Sequence, residues 1–430
     1  MKFFRFRLFV EGMIIGTATG FLVALLRYIL DEADVFRPEW FRILHAGNVR
    51  DWLISVAWLI LVAVLIAKMI AIDSQVAGSG IPQLKGVLRK RMKISHWFRL
   101  LTLKFSATIL GIASGLSLGK AGLSLHFGAC LGVGFERLQD RFSIHRHQHS
   151  ENFLLLAGSS AGLSSVFSAP LAGMIFCVEE LQKKSSPEVL IVTMSSSISS
   201  VWVVDVLFGV RPVFSIPSPH VIELGSEYLL LVVLGIFCGL FGICFTKCLL
   251  ISSDFYDRHV KSTDVRRYLF PFLMILPIGL TFPELLGCGN VLVNDLIREN
   301  FSIELLMIFF AGKFLFTMIC FGTGTPGGIF LPLLVLGAIV GNIFALMLSN
   351  FGLIDENFFD LFIVFGMAGY FSSVIKAPIT GSILIMEITG SFSCLMNVIC
   401  VSIVAYTISD LFGGIPAYDA LLNRSLKKTR

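Results

Sequence analysis

An all-α integral membrane protein is what this sequence predicts, on three observations. Apolar residues make up 55% of the 430, with a mean hydropathy of +0.84, while charged residues reach only 15%; soluble domains carry about 25%. The apolar residues gather in segments near 8–30, 52–72, 99–118, 152–178, 188–210, 227–251, 269–286, 303–321, 328–349, 359–390 and 393–413. Many of these are about the 20 residues that cross a bilayer as a helix. Gly and Pro clusters break several of them at membrane depth, where irregular backbone is tolerated only when it is buried in protein or lines a polar cavity. A soluble enzyme, a nucleic-acid reader and a secreted disulfide scaffold are excluded. Broken spans are the mark of a transporter or channel.

The first element carries Lys2, Arg5 and Arg7 ahead of its apolar run, as a signal peptide would. Glu11 interrupts that run and no A-x-A site follows, so the segment reads as an uncleaved first helix. Lys85, Arg89, Lys90, Arg91, Lys93 and Arg99 form a second basic block, and Arg424, Lys427, Lys428 and Arg430 end the chain. Positive flanks mark cytoplasmic sides, so both termini and the segment near 85–99 are expected in the cytosol. These blocks account for the net charge of +5, and no nucleic-acid partner is called for. The nine cysteines sit mostly inside apolar stretches without a CxxC pair, as core thiols do. His145, His147 and His149 alternate in a polar loop and are not read as a metal site.

An internal repeat organises the chain. The string from Ser164 through Ala169-Pro170 to Gly173 aligns with that from Ser372 through Ala377-Pro378 to Gly381, and the same offset carries Glu179 onto Glu387 and Gly119 onto Gly327. Two halves are therefore expected, 1–217 and 218–430, joined at the Pro-rich stretch Arg211–Pro219. No soluble regulatory domain is expected after Leu422. Glu387, Lys313 and Lys376 fall in apolar runs and should face protein or water rather than lipid.

Three Gly-rich interruptions precede helix-forming runs: Gly78-Ser79-Gly80-Ile81-Pro82, Gly119-Lys120-Ala121-Gly122, and Gly324-Thr325-Pro326-Gly327-Gly328-Ile329-Phe330-Leu331-Pro332. Each has the form of a helix N-terminus, where unpaired N–H groups and the helix dipole favour an anion. Several such ends meeting at the midplane would bind an anion without a full countercharge, which suits conduction. Gly322, Gly324 and Gly327 also match a dinucleotide-binding spacing, but the next acidic residue, Asp355, lies far beyond the ribose-binding position. By residue chemistry alone, Ser79 could simply cap its helix and Tyr418 could anchor at the interface.

These motifs, with the APLAG…EE segment at 169–180 and the late Tyr418, resemble the CLC family of chloride channels and proton/chloride exchangers in order and spacing across nearly the whole chain. The resemblance implies a fold of two inverted halves with broken helices meeting at the midplane. It implies a homodimer with one anion pathway per subunit, in a cell membrane, with chloride as the transported ligand, no other cofactor and no metal. By position, Ser79 and Tyr418 would supply hydroxyls to the central anion and form the inner constriction. Gly80 and Ile81 lie beside Ser79 in the first motif, and the N–H groups of Ile329 and Phe330 would complete the site. Lys120, Ala121 and Gly122 occupy the external gate, and Glu180 the inner proton-route position.

The departure from the family pattern is Ala121. The family commonly has Glu there, which serves as gate and proton acceptor, with Pro where this chain has Leu123. A methyl group neither competes with chloride nor carries a proton. The function expected is chloride-selective permeation, channel-like or uncoupled; the alternative is proton-coupled antiport through another titratable group, with His126 the first suspect. For Glu180 the ordinary explanation is that it ends a helix with Glu179 and pairs with Lys183 and Lys184. For His126 the ordinary explanation is a packed helix residue.

Overall fold

The computed structural model describes residues 2–141, 150–214, 216 and 227–428. The expected joint between halves at 217/218, residues 215 and 217–219 of the stretch Arg211–Pro219, and the histidines 145, 147 and 149 lie outside the described residues. Within them the chain forms seventeen α-helices, and its only sheet-like pairing is one bridge, Gly119 with Gly328.

The first eight helices are α1 (Lys2–His45), α2 (Val49–Ile72), α3 (Ile81–Leu88), α4 (Trp97–Ala113), α5 (Ala121–Arg141), α6 (Ser150–Phe167), α7 (Pro170–Phe176) and α8 (Pro187–Phe208). The next eight repeat that order: α9 (Glu227–His259), α10 (Arg266–Thr281), α11 (Asn290–Arg298), α12 (Ile303–Gly322), α13 (Phe330–Asn350), α14 (Phe359–Ile375), α15 (Pro378–Thr389) and α16 (Leu395–Leu411). A last helix, α17 (Ala417–Lys428), carries Tyr418. Eight of the described helices are long and apolar enough to cross a membrane. The first runs well past the expected residue 30, and the apolar runs 152–178 and 359–390 are each split before an Ala-Pro pair. Proline lacks the N–H that would continue the preceding helix, and it suits the first turn of the next.

The repeat is inverted where its halves touch. Ser168 and Lys376, equivalent residues, both adopt the left-handed conformation (φ 52° and 66°) and turn the chain into α7 and α15. Glu179, just beyond α7, accepts hydrogen bonds from the N–H groups of Ile379 (3.2 Å) and Thr380 (2.7 Å) at the start of α15. Glu387, near the end of α15, accepts from Leu171 (3.0 Å) and Ala172 (2.8 Å) at the start of α7. Each helix thus has its positive end capped by the other's carboxylate, which requires the two to run antiparallel. The expected pairing of Glu179 with Lys183 and Lys184 does not form: the N-terminus of α15 offers directed donors, and Lys183 turns to Asp419 (3.3 Å).

The same symmetry sets the glycines before α3 and α11. Gly78 and Gly80 (φ 70° and 92°) correspond to Gly287 and Gly289 (φ 64° and 94°), all in a conformation that favours residues without a Cβ. The buried ammonium of Lys104, on α4, donates to Gln75 O (3.2 Å). That of Lys313, on α12, donates to Leu285 O (2.9 Å) and Gly287 O (3.0 Å), so each lysine holds the loop that leads into the short helix. Lys376 meets Tyr406 O, Asp410 and the Tyr406 ring. The three charges expected to avoid lipid, Lys313, Lys376 and Glu387, have protein partners, as the cost of an unpaired charge in hydrocarbon demands.

Small residues bring the central helices close. A Cβ on Gly337 of α13 would fall 2.6 Å from Gly366 O of α14. The apolar windows of these two helices are 83% and 89% buried, against 39% in α2 and α16, so α13 and α14 form the centre of the subunit.

Candidate functional site

The first loop ends in Gly80, the N-cap of α3, and Gly78 N–H donates to Gly324 O (3.0 Å). That bond ties the Ser79 loop to the third Gly-rich motif. The second and third motifs pair directly: Gly119 N–H donates to Gly328 O (2.6 Å) and Gly328 N–H to Gly119 O (2.8 Å). Gly122 faces the first motif so closely that a Cβ there would lie 3.0 Å from Ser79 O and 3.2 Å from Ile81 Cδ1. A Cβ on Gly328 would lie 3.5 Å from Gly122 N and 3.7 Å from Ser79 Cβ. The approach is tightest at Gly122, where a Cβ would crowd the Ser79 backbone. The starts of α3, α5 and α13 therefore meet, and first-turn N–H groups of a helix have no acceptor within it.

Ser79, Ile81, Ala121, Ile329 and Phe330 around this meeting point, and Tyr418 on α17, are buried, between 0% and 2% exposed. Ile329 is the N-cap of α13, and the Phe330 ring packs between Phe167, Phe176 and Phe371. Ser79 does not cap its helix: Gly80 holds that place, and the Ser79 hydroxyl has no hydrogen-bond partner among the described residues. The Tyr418 hydroxyl likewise has none. Buried hydroxyls are rarely left unpaired, because the desolvation cost goes uncompensated. Two unpaired hydroxyls, one in the loop just ahead of α3 and one on α17, which packs on α3, leave donors free for an ion.

At the expected outer gate, the Lys120 ammonium turns away to Asp31 (3.3 Å), and Ala121 opens α5 with a bare methyl. His126, one turn beyond Gly122, is fully buried with neither ring nitrogen partnered among the described residues, and a Cβ on Gly80 would collide with its ring. It is packed, as expected, but against the anion motif itself.

Glu180 is the largest revision. It lies in a widened helical turn, Cys177–Gln182, that follows α7. Its carboxylate pairs with Lys85 Nζ at 2.6 Å and with neither Lys183 nor Lys184 in any described ion pair. Lys85, expected in a cytosolic basic block, is 0% exposed. It also sits 2.6 Å from Asp419, the neighbour of Tyr418. Sequence reasoning missed Lys85 and Asp419. The available signal was spacing: Lys85 stands four residues after Ile81, one turn along the same buried face of α3.

In sequence and overall fold the chain matches known proteins. A family model described as Voltage gated chloride channel matches residues 58–410. The chain belongs to this family. As a CLC protein it is similar to the H(+)/Cl(-) exchange transporter ClcA of Vibrio parahaemolyticus, 29% identical over 99% of this chain and 91% of the relative. It is 30% identical to the ClcA of Vibrio campbellii, with the same coverage. In fold it matches the crystal structure of a slow cyanobacterial Cl-/H+ antiporter, with a TM-score of 0.89 and 24% identity over 98% of both chains. A eukaryotic CLC transporter matches with a TM-score of 0.80 and 22% identity, over 98% of this chain and 74% of that one. The protein is thus a multi-pass CLC membrane protein of anion transport, and its relatives are transporters rather than enzymes.

Proposed function

We propose that this CLC protein passes chloride, and similar small anions, through each subunit of a homodimer without obligatory proton counter-transport. In this reading it lies in the cytoplasmic membrane with both termini in the cytosol, and needs no cofactor beyond the ion it carries. Ser79 and Tyr418 donate hydroxyls to the central anion, with backbone donors from Gly80, Ile81, Ile329 and Phe330. Lys120, Ala121 and Gly122 line the outer entrance.

The observation that carries the uncoupled reading is Ala121. A carboxylate that competes with chloride and takes up a proton cannot be supplied by a methyl group at the start of α5. The inner carboxylate, Glu180, is meanwhile engaged by Lys85. The deciding experiment records chloride and proton flux together from liposomes holding the purified protein. Chloride efflux faster than from empty vesicles, with no proton movement against its gradient, is the expected result. Efflux equal to that of empty vesicles, from folded protein, would end the transport reading.

A second reading is coupled exchange, which the names of the relatives favour and for which His126 offers a titratable group. Its support is an imidazole buried beside Gly80 with both nitrogens free. Uphill proton movement that disappears in His126→Leu would establish it in place of the first.

A further inference from the structure

Lys85 is buried on the same short helix that Gly80 caps, and its ammonium reaches two carboxylates at once, Glu180 and Asp419, each at 2.6 Å. Asp419 is also reached by Arg89 from the next turn of α3 (2.8 Å) and by Lys183 (3.3 Å). Partial burial works to raise the Asp419 carboxyl, but the hydrogen bond and charge of Lys85, with Lys183 and Arg89, hold it below the ordinary carboxylate value. Lys85 reaches both acids, whereas Arg89 and Lys183 reach Asp419 alone, and burial raises the Glu180 carboxyl to about 7 in spite of its ammonium partner.

This cluster joins three pieces of the anion site. Lys85 belongs to α3, the helix that the Ser79 loop leads into, Glu180 to the turn after α7, and Asp419 to the first turn of α17 beside Tyr418. Apolar contact brings the helices together along the same line, since a Cβ on Gly86 would lie 3.2 Å from Leu422 Cδ1. Such contact is non-directional and does not fix rotation about the α17 axis. The charge-assisted bonds of Lys85 do, because they are short and directed.

We propose that Lys85 is a positioning residue of the inner constriction, gripping Asp419 so that the Tyr418 hydroxyl at the start of α17 is held toward the Ser79 loop. Glu180 is the second anchor of that grip, which gives it a structural duty in this chain. The inference rests on the reading that Tyr418 and Ser79 line the pathway.

The test measures chloride affinity by calorimetry, and unfolding temperature, on the full chain. Asp419→Ala removes the grip on α17 and leaves the Lys85–Glu180 pair in place. Chloride affinity should fall about tenfold, the loss of one well-placed donor to an anion. Tyr418→Phe should cause a similar loss. The double variant should lose no more than the worse single one, because a hydroxyl already displaced has nothing left to give. Asp419→Asn still offers Lys85 an oxygen and should fall between, which keeps the test alive if the alanine variant does not fold. A lower unfolding temperature with unchanged affinity in the Asp419 variants would overturn the inference and leave a purely structural ion cluster. Additive losses would overturn it too. If Tyr418→Phe alone leaves affinity intact, the inner-constriction reading falls, and this inference with it.

Discussion

Restoring a carboxylate at position 121 is the most searching perturbation of the outer entrance. Ala121 is fully buried at the first turn of α5, and the next residue is so close to the Ser79 loop that an added Cβ would lie 3.0 Å from Ser79 O. In the proposed site a glutamate in Ala121→Glu would bring its charge toward an anion held between Ser79 and the α13 start, and a separation of about 5 Å sets the scale. At an effective dielectric of about 20, two unit charges at that distance repel by about 3 kcal/mol, roughly a 150-fold loss of chloride affinity. Protonation removes the charge, so affinity should return as pH is lowered, and chloride efflux from liposomes should be slow at neutral pH and rise in acid. The unmodified protein should show no such rise from this position. Chloride affinity within about threefold of the parent at neutral pH, with efflux independent of pH in correctly folded protein, would refute the placement of residue 121 beside the anion.

Ser79→Pro removes a hydroxyl donor, so chloride should lose ground to nitrate in the anion ranking, as measured by flux in mixed gradients. An unchanged ranking would place Ser79 outside the pathway. Glu387→Gln replaces a carboxylate that accepts two N–H bonds at the start of α7, and should cost about 2 kcal/mol of stability with chloride affinity unaffected; Glu179→Gln should match it across the symmetry, and thermal unfolding checks both. Asp419 is held below its ordinary value, so its contribution to the α17 grip is fully present above about pH 4 and fades as pH falls below that. Chloride affinity measured from pH 5 to pH 3 should drop accordingly in the parent and less in Asp419→Asn.

The inner cluster also bears on how far a carboxylate at position 121 would restore proton movement. Glu180, the inner proton-route position, is paired with a buried ammonium in this chain. A gate rebuilt at the outer end alone should therefore regulate chloride, and proton movement would in addition require Glu180 to exchange its proton beside Lys85.

What the sequence determined by itself was local or periodic. Apolar runs of spanning length, glycine pairs such as Gly78 and Gly80 where the backbone must turn left-handed, and the repeated Ala-Pro starts of α7 and α15 are each written in consecutive residues. They gave the membrane class, the duplication, the three anion-favouring helix starts and the absence of a carboxylate at Ala121. The tertiary structure decided which distant groups satisfy one another. Glu179 and Glu387 could equally have paired with neighbouring lysines; antiparallel packing of α7 and α15 gave them each other's helix starts instead. Lys85 reads as one more basic residue in a cytosolic run, yet the docking of α17 on α3 buries it between Glu180 and Asp419. His126 reads as a packed residue of α5, and only the approach of α3 sets it against Gly80. The physical reason is common to all three. Backbone preference is a property of a residue and its neighbours, whereas the partner of a buried charge or donor is chosen by whichever element packs over it.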